Sequence, residues 1–189
     1  MSRRAKITRR KFIGIAMAAA AAGPLASCSR LVSPWRVLTA EEAQTLGAMC
    51  ERLIPADQDS GAAWAGVVIF IDRQLAGTYK KLRKSYRQGL AGTDQTSQRH
   101  FGRSFAELNA RQQEEILTML EKGRAQGDAW KQLSSGEFFD LVLAHTMQGF
   151  YGDPRHGGNR EGVSWKMVGL PYPPIRGRLH YDLSRPERS

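Results

Sequence analysis

Cysteine is scarce in this chain. Two occur among 189 residues, Cys28 and Cys50, too few for a disulfide scaffold at this length. No run of about 18 consecutive strongly apolar residues exists, which excludes a multi-pass membrane protein. Cofactor motifs are missing too. No Gly-x-Gly-x-x-Gly follows a strand pattern, no Cys-x-x-Cys offers a zinc pair, and no Cys-x-x-Cys-His offers covalent haem attachment. Sustained period-2 alternation of β-branched residues is also absent. Acidic residues are lacking from residues 1–27, which hold Arg3, Arg4, Lys6, Arg9, Arg10 and Lys11. The formal charge of +10 therefore rests largely on this segment; without it, 22 basic and 18 acidic residues leave +4. A nucleic-acid partner is not expected on that balance.

What is present at the N-terminus has the form of an export signal. A basic stretch ends in Arg9-Arg10-Lys11-Phe12-Ile13, a mildly apolar run follows from Ile13 to Ala26, and Leu25-Ala26-Ser27-Cys28 closes it. Fourteen residues of helix reach about 21 Å, short of the roughly 30 Å hydrocarbon core. Arg9, Arg10 and Phe12 match the twin-arginine pattern, a receptor-read address rather than an anchor; the alternative is an ordinary basic signal that happens to hold Arg-Arg. Leu25-Ala26-Ser27-Cys28 has the form of a lipobox, in which the Cys28 sulfur receives diacylglycerol and becomes the first mature residue. The alternative is a signal-peptidase cut nearby with Cys28 a bystander. Twin-arginine export carries folded cargo. The chain is thus expected either to bind a cofactor itself or to travel with a partner that does.

The rest reads as a mainly α fold: a single small helical domain with a long irregular C-terminal docking segment. The expected divisions are a cleaved signal (1–27), a linker (28–38), the helical domain (39–150) and a Gly/Pro-rich partner-binding segment (151–189). Thr39-Ala40-Glu41-Glu42 has the capping-box form, and Leu46, Met49, Cys50 and Leu53 share one helical face before Pro55. Val67, Phe70, Ile71 and Leu75 form a second helical set before Gly77. Residues 79–102 are basic and polar with scattered glycines, and read as a weak helix followed by a loop. Ser104-Phe105-Ala106-Glu107 repeats the capping box ahead of Ile116, Leu117 and Leu120. A fourth helix from about Gly136 to Phe150 is expected to turn Phe139, Val142, Leu143, Thr146, Met147 and Phe150 inward. Beyond it, Val163 to Leu170 fits a short helical or extended piece, and Pro171-Tyr172-Pro173-Pro174 must be extended. The aromatics Tyr151, Trp165, Tyr172 and Tyr181 argue against plain disorder and for a segment laid on another surface.

Few residues have the look of chemistry. Cys50 fits a small buried hydrophobe, with an intermolecular disulfide as the alternative. His145 fits a satisfied structural histidine. Asp153 and His156 are the one catalytic-looking pair, in a glycine-rich loop. The plainer reading is a turn in which Asp153 accepts backbone N–H groups. Lys80-Lys81-Leu82-Arg83-Lys84 fits a solvated face or one near anionic headgroups. A rival reading is a small metal enzyme using some of His145, His156, His180, Asp153 and Glu161. Another is a stand-alone lipoprotein with a different cargo.

The run Phe150-Tyr151-Gly152-Asp153-Pro154-Arg155-His156-Gly157-Gly158-Asn159-Arg160-Glu161-Gly162-Val163-Ser164-Trp165-Lys166-Met167-Val168-Gly169-Leu170-Pro171 closely resembles the signature of the gluconate 2-dehydrogenase subunit 3 family. Leu53-Ile54-Pro55-Ala56-Asp57 and the pieces Gly61-Ala62, Ala65-Gly66-Val67, Phe70-Ile71-Asp72 and Gln74-Leu75-Ala76-Gly77 are similar in order. The likeness spans roughly residues 38 to 171. It departs at Gly152 and His156, where Ser and Tyr are more usual. The resemblance implies a small, or gamma, subunit of a membrane-bound flavin dehydrogenase acting on sugars or sugar acids. Such a subunit holds no cofactor: FAD belongs to the catalytic partner and haem c to a cytochrome subunit. The small subunit carries the twin-arginine signal and escorts the folded flavoprotein through the translocase. Its expected place is the periplasm, lipid-anchored to a membrane. By itself it is expected to be non-catalytic. Tyr151, Asp153, Pro154, Gly157, Gly158, Asn159, Trp165 and Lys166 are the expected ordered signature and partner-contact region.

Overall fold

The computed structural model describes residues 33–169. The signal residues Arg9, Arg10 and Phe12, the lipidation candidate Cys28, and Tyr172, His180 and Tyr181 of the tail lie outside the described residues. Six helices and no strand are present among the described residues.

Capping chemistry starts the first helix, α1 (Ala40–Leu53). The Thr39 hydroxyl accepts from the Glu42 N–H, and the Glu42 carboxylate accepts from the Thr39 N–H. Leu46, Met49 and Cys50 on its inner face are wholly buried. Helix α2 (Val67–Ala76) leaves Gly66, whose φ of 75° lies in the left-handed region, and buries Val67, Phe70, Ile71 and Leu75 as their spacing predicts. It also buries Asp72. That carboxylate accepts the backbone N–H groups of Arg36, Val37 and Leu38 at 2.7, 2.9 and 3.0 Å, so the strap before α1 is tied to α2 by charge-assisted bonds.

Residues 79–102 correct the sequence reading. After a 3-10 turn (Lys80–Leu82), helix α3 runs from Arg83 to Phe101, 19 residues, the longest helix described. Its inner face is polar: Gly89, Gly92, Thr93, Thr96 and Ser97 are buried beside Tyr86 and Leu90. The Thr93, Thr96 and Ser97 hydroxyls donate to the carbonyls of Gly89, Gly92 and Thr93, one turn back, so burial leaves none of them unpaired. The glycines admit neighbours: a Cβ on Gly89 would stand 2.2 Å from the Phe138 ring. Small, self-satisfied residues make a tight helix seam without any apolar periodicity.

The second capping box forms, but it closes only the 3-10 turn Phe105–Glu107. Asn109 and Gln112 make a further box, and that one starts α4 (Ala110–Glu121), which buries Ile116, Leu117 and Leu120. Helix α5 (Ser135–Tyr151) is rotated from the expected phase. Phe139, Val142, Thr146 and Phe150 are buried, but Leu143 is half-buried and Met147 is exposed, while Phe138, His145 and Gly149 lie inside. The cause is its central position: α1 and α5 each touch all the other long helices. Their inner arcs are therefore wide and include residues with no hydrophobic signal. Cys50 of α1 and Thr146 of α5 meet at 3.2 Å across this contact. His145 of α5 shares a 2.7 Å hydrogen bond between Nδ1 and the Tyr86 hydroxyl and stacks on Tyr79 with ring centroids 4.3 Å apart.

Beyond α5, residues 152–169 hold two 3-10 turns (Pro154–His156 and Arg160–Gly162) and the short helix α6 (Val163–Met167).

Candidate partner-docking site

The segment after α5 is held by its own polar side chains. Asp153 caps the first turn by accepting the Arg155 N–H at 2.9 Å, and its carboxylate receives the Arg155 guanidinium from Nε and Nη2 at 3.0–3.2 Å. Pro154 supplies the fixed φ at the start of that turn. Gly157 leaves the turn at φ 108°, a region open to glycine. Asn159, wholly buried and at φ 44°, bridges the loop. Its Nδ2 donates to the Gly152 carbonyl at 2.8 Å, and its Oδ1 accepts the Ser164 N–H at 3.0 Å. Trp165 Nε1 donates to the Tyr151 carbonyl at 3.0 Å, fastening α6 to the end of α5. Lys166 stands 3.9 Å from the Glu161 carboxylate, both exposed.

Two glycine-bearing loops meet here. The Arg160 N–H donates to the Ala65 carbonyl at 3.1 Å, and the Arg160 guanidinium lies over the Trp64 ring, 5.5 Å from its centroid. The pieces around 61–67 and 150–165 quoted for the family resemblance are thus one structural unit. His156 is exposed and lines a cleft of about 290 Å³ with Phe70, Gln74, Thr78 and Tyr79, while the Asp153 carboxylate is engaged with Arg155. No trio of His, Cys, Asp or Glu side chains is placed to hold a metal among the described residues.

Several titratable groups are shifted by burial in the helical core beneath. Burial pushes the Cys50 thiol up to about 12, partly offset by the Thr146 hydroxyl. Burial also raises the Tyr86 phenol, lowers the His145 imidazole and raises the Asp94 carboxyl, which accepts from the Phe105 N–H and the Thr45 hydroxyl. The tautomer of the imidazole decides which of Tyr86 Oη and His145 Nδ1 donates in their 2.7 Å hydrogen bond.

The exposed large apolar side chains among the described residues are Trp64, Met147, Tyr151, Met167 and Val168. Each lies in the 152–169 segment or on an element that segment touches. Tyr151 and Met147 sit one turn apart on α5, and Tyr151 is braced edge-on by Phe150 at 5.0 Å. Of these, only Tyr151 is a sequence-chosen site residue. Met147 was expected inside, and nothing in the pattern singles out Trp64, Met167 or Val168, because exposure depends on where the loop lands. Exposed apolar side chains beside an ordered polar loop are a feature of interaction surfaces.

The family model for gluconate 2-dehydrogenase subunit 3 matches residues 40–171, and the chain belongs to that family. No curated protein and no solved structure matched it.

Proposed function

We propose that this chain is the non-catalytic small subunit of a flavin-dependent sugar or sugar-acid dehydrogenase complex, which it escorts to the periplasm and stabilises there. Membership of the subunit 3 family implies dehydrogenase partner subunits. The observation that carries the reading is this surface: the signature's polar groups hold their own backbone, and the large exposed apolar side chains lie in that segment or on elements it touches. Tyr151 and its neighbours supply contact area at low entropy cost. The catalytic partner would hold FAD, and a third, cytochrome subunit would hold haem c and take the electrons.

The twin-arginine pattern at Arg9 and Arg10 supports the escort role, since that route carries folded cargo and flavin insertion precedes it. A diacylglycerol thioether at Cys28 would then keep the complex on the membrane. Replacement of both arginines by lysine in the native host tests the escort. The expected result is dehydrogenase activity trapped with the cytoplasmic fraction. Normal periplasmic activity from the Lys-Lys variant would overturn it.

A further inference from the structure

From Arg73 to Thr93 the chain carries Arg73, Lys80, Lys81, Arg83, Lys84 and Arg87 and no acidic residue. In space this is the end of α2, the turn Lys80–Leu82 and the first half of α3. Arg83 points inward, donating from Nε and Nη2 to the Leu75 and Ala76 carbonyls at 2.7 and 3.2 Å, where it satisfies the C-terminal end of α2. Lys80, Lys81, Lys84 and Arg87 are exposed. The ion pairs among the described residues lie elsewhere, at Lys131, Arg155 and Lys166. The four recur three and four residues apart and so share one side of this stretch; Gln132 stands 3.4 Å from Lys84, and the one carboxylate on the neighbouring turn, Asp128, is paired with Lys131.

A second observation concerns the tether to the membrane. The strap that precedes α1 is tied to the middle of α2, where Asp72 holds the N–H groups of residues 36–38. Trp35 and Arg36 line a cleft there with Arg73. Four residues lie between Cys28 and Ser33, and the five Cα–Cα steps reach at most about 18 Å at full extension. A lipid on Cys28 would therefore keep Ser33, where the described domain begins, within about 18 Å of the headgroups.

We propose that the face made by Lys80, Lys81, Lys84 and Arg87 lies against an anionic phospholipid bilayer, with lipid phosphate oxygens accepting from the ammonium and guanidinium groups. The tether rests on the Cys28 anchor proposed above; the charge of the face does not. Each cation near such a surface strengthens binding about fivefold at physiological salt.

The test uses the mature chain from residue 28 with Cys28→Ser, since the compact unit begins at Ser33 and the core residues begin at Leu38. Its partition is measured by flotation on phosphatidylcholine vesicles with about a third phosphatidylglycerol. Binding is expected to be salt-sensitive and to drop at least about tenfold in K80Q/K81Q/K84Q/R87Q. The exposed control set R103Q/R111Q/K122Q/R124Q, with the same charge loss, should stay within about twofold. If the quadruple variant does not fold, K81Q/K84Q replaces it, with a loss of at least about fivefold expected. Equal losses in both sets, or no vesicle binding by the parent chain, would overturn the proposal. So would a face variant that floats normally yet loses a co-purifying acidic protein from native membranes. The anchor is read separately, from the intact mass of the native mature chain. An unlipidated mass would remove the anchor while the flotation result still judges the face.

Discussion

Gly158 sits directly on Gly149: a Cβ at Gly158 would stand 2.1 Å from the Gly149 carbonyl oxygen, a backbone atom that cannot swing aside. This contact presses the signature loop onto the last turn of α5. Gly158→Ala is expected to destabilise the protein by about 2–3 kcal/mol through forced displacement. Gly102→Ala is the contrast, because its added methyl meets nothing within 4 Å. There the left-handed backbone alone should cost about 1 kcal/mol. Urea unfolding of the two variants checks the difference.

Asn159 closes the same loop from inside. Removing its side chain unpairs the buried Ser164 N–H and the Gly152 carbonyl. Asn159→Ala should therefore lose about 2–4 kcal/mol. Asn159→Asp, which keeps an acceptor for Ser164 but brings a buried charge with no donor for Gly152, should also lose stability. Hydrogen exchange should localise the loss in both: residues 152–169 open first, with α1 and α4 protected.

His145 makes the fold pH-sensitive. Its imidazole pKa is lowered by burial, between Tyr79 and Tyr86 and one residue from Thr146, the partner of Cys50. The unfolded chain therefore takes up a proton near pH 6.5 that the folded chain resists. Stability from this residue is full above about pH 6.5 and falls as the pH drops toward the lowered folded value. Asp94, raised by burial, acts with the opposite sign: it favours the fold most below about pH 3.9 and loses that contribution as pH rises through its raised value. Urea midpoints measured through the acid limb should fall for the parent chain. They should be flatter in His145→Gln, which keeps a polar partner for Tyr86 and cannot titrate.

Thiol chemistry reads both cysteines at once. Cys50 is wholly buried and its thiol is pushed up to about 12, so it should resist a disulfide reagent until the protein unfolds. A mature native chain with Cys28 lipidated should then show no reactive thiol when folded and one after denaturation. One reactive thiol in the folded chain would place a free sulfur at Cys28 and overturn the lipid anchor.

Helices α1, α2 and α4 were legible from apolar residues at helical spacing, though only α1 starts at the cap read in the sequence: α2 has no side-chain cap, and α4 starts at Asn109 rather than Ser104. Helix α3 was not. Its inner face uses Gly89, Gly92, Thr93, Thr96 and Ser97, and hydroxyls bonded one turn back carry no hydrophobic period. In α5 the same limit misplaced Met147: His145 and Gly149 face inward because α5 is surrounded, a fact of packing rather than of pattern. In the site, the glycines and Pro154 announced an unusual backbone path, and Asp153 announced a turn. The join between the 61–66 and 157–162 loops, through Arg160 and Ala65, is a long-range pairing that neither loop encodes alone.

The central claim is that a flavoprotein docks on the surface around Tyr151. Its most direct measurement is co-purification through a C-terminal tag from detergent-solubilised native membranes, with a visible spectrum and subunit masses of the eluate. The parent chain is expected to bring down a larger chain with flavin absorbance, and Tyr151→Glu/Met167→Glu, both at exposed positions, to lose it while keeping the parent's melting temperature. A colourless chain recovered alone under gentle extraction would contradict the account.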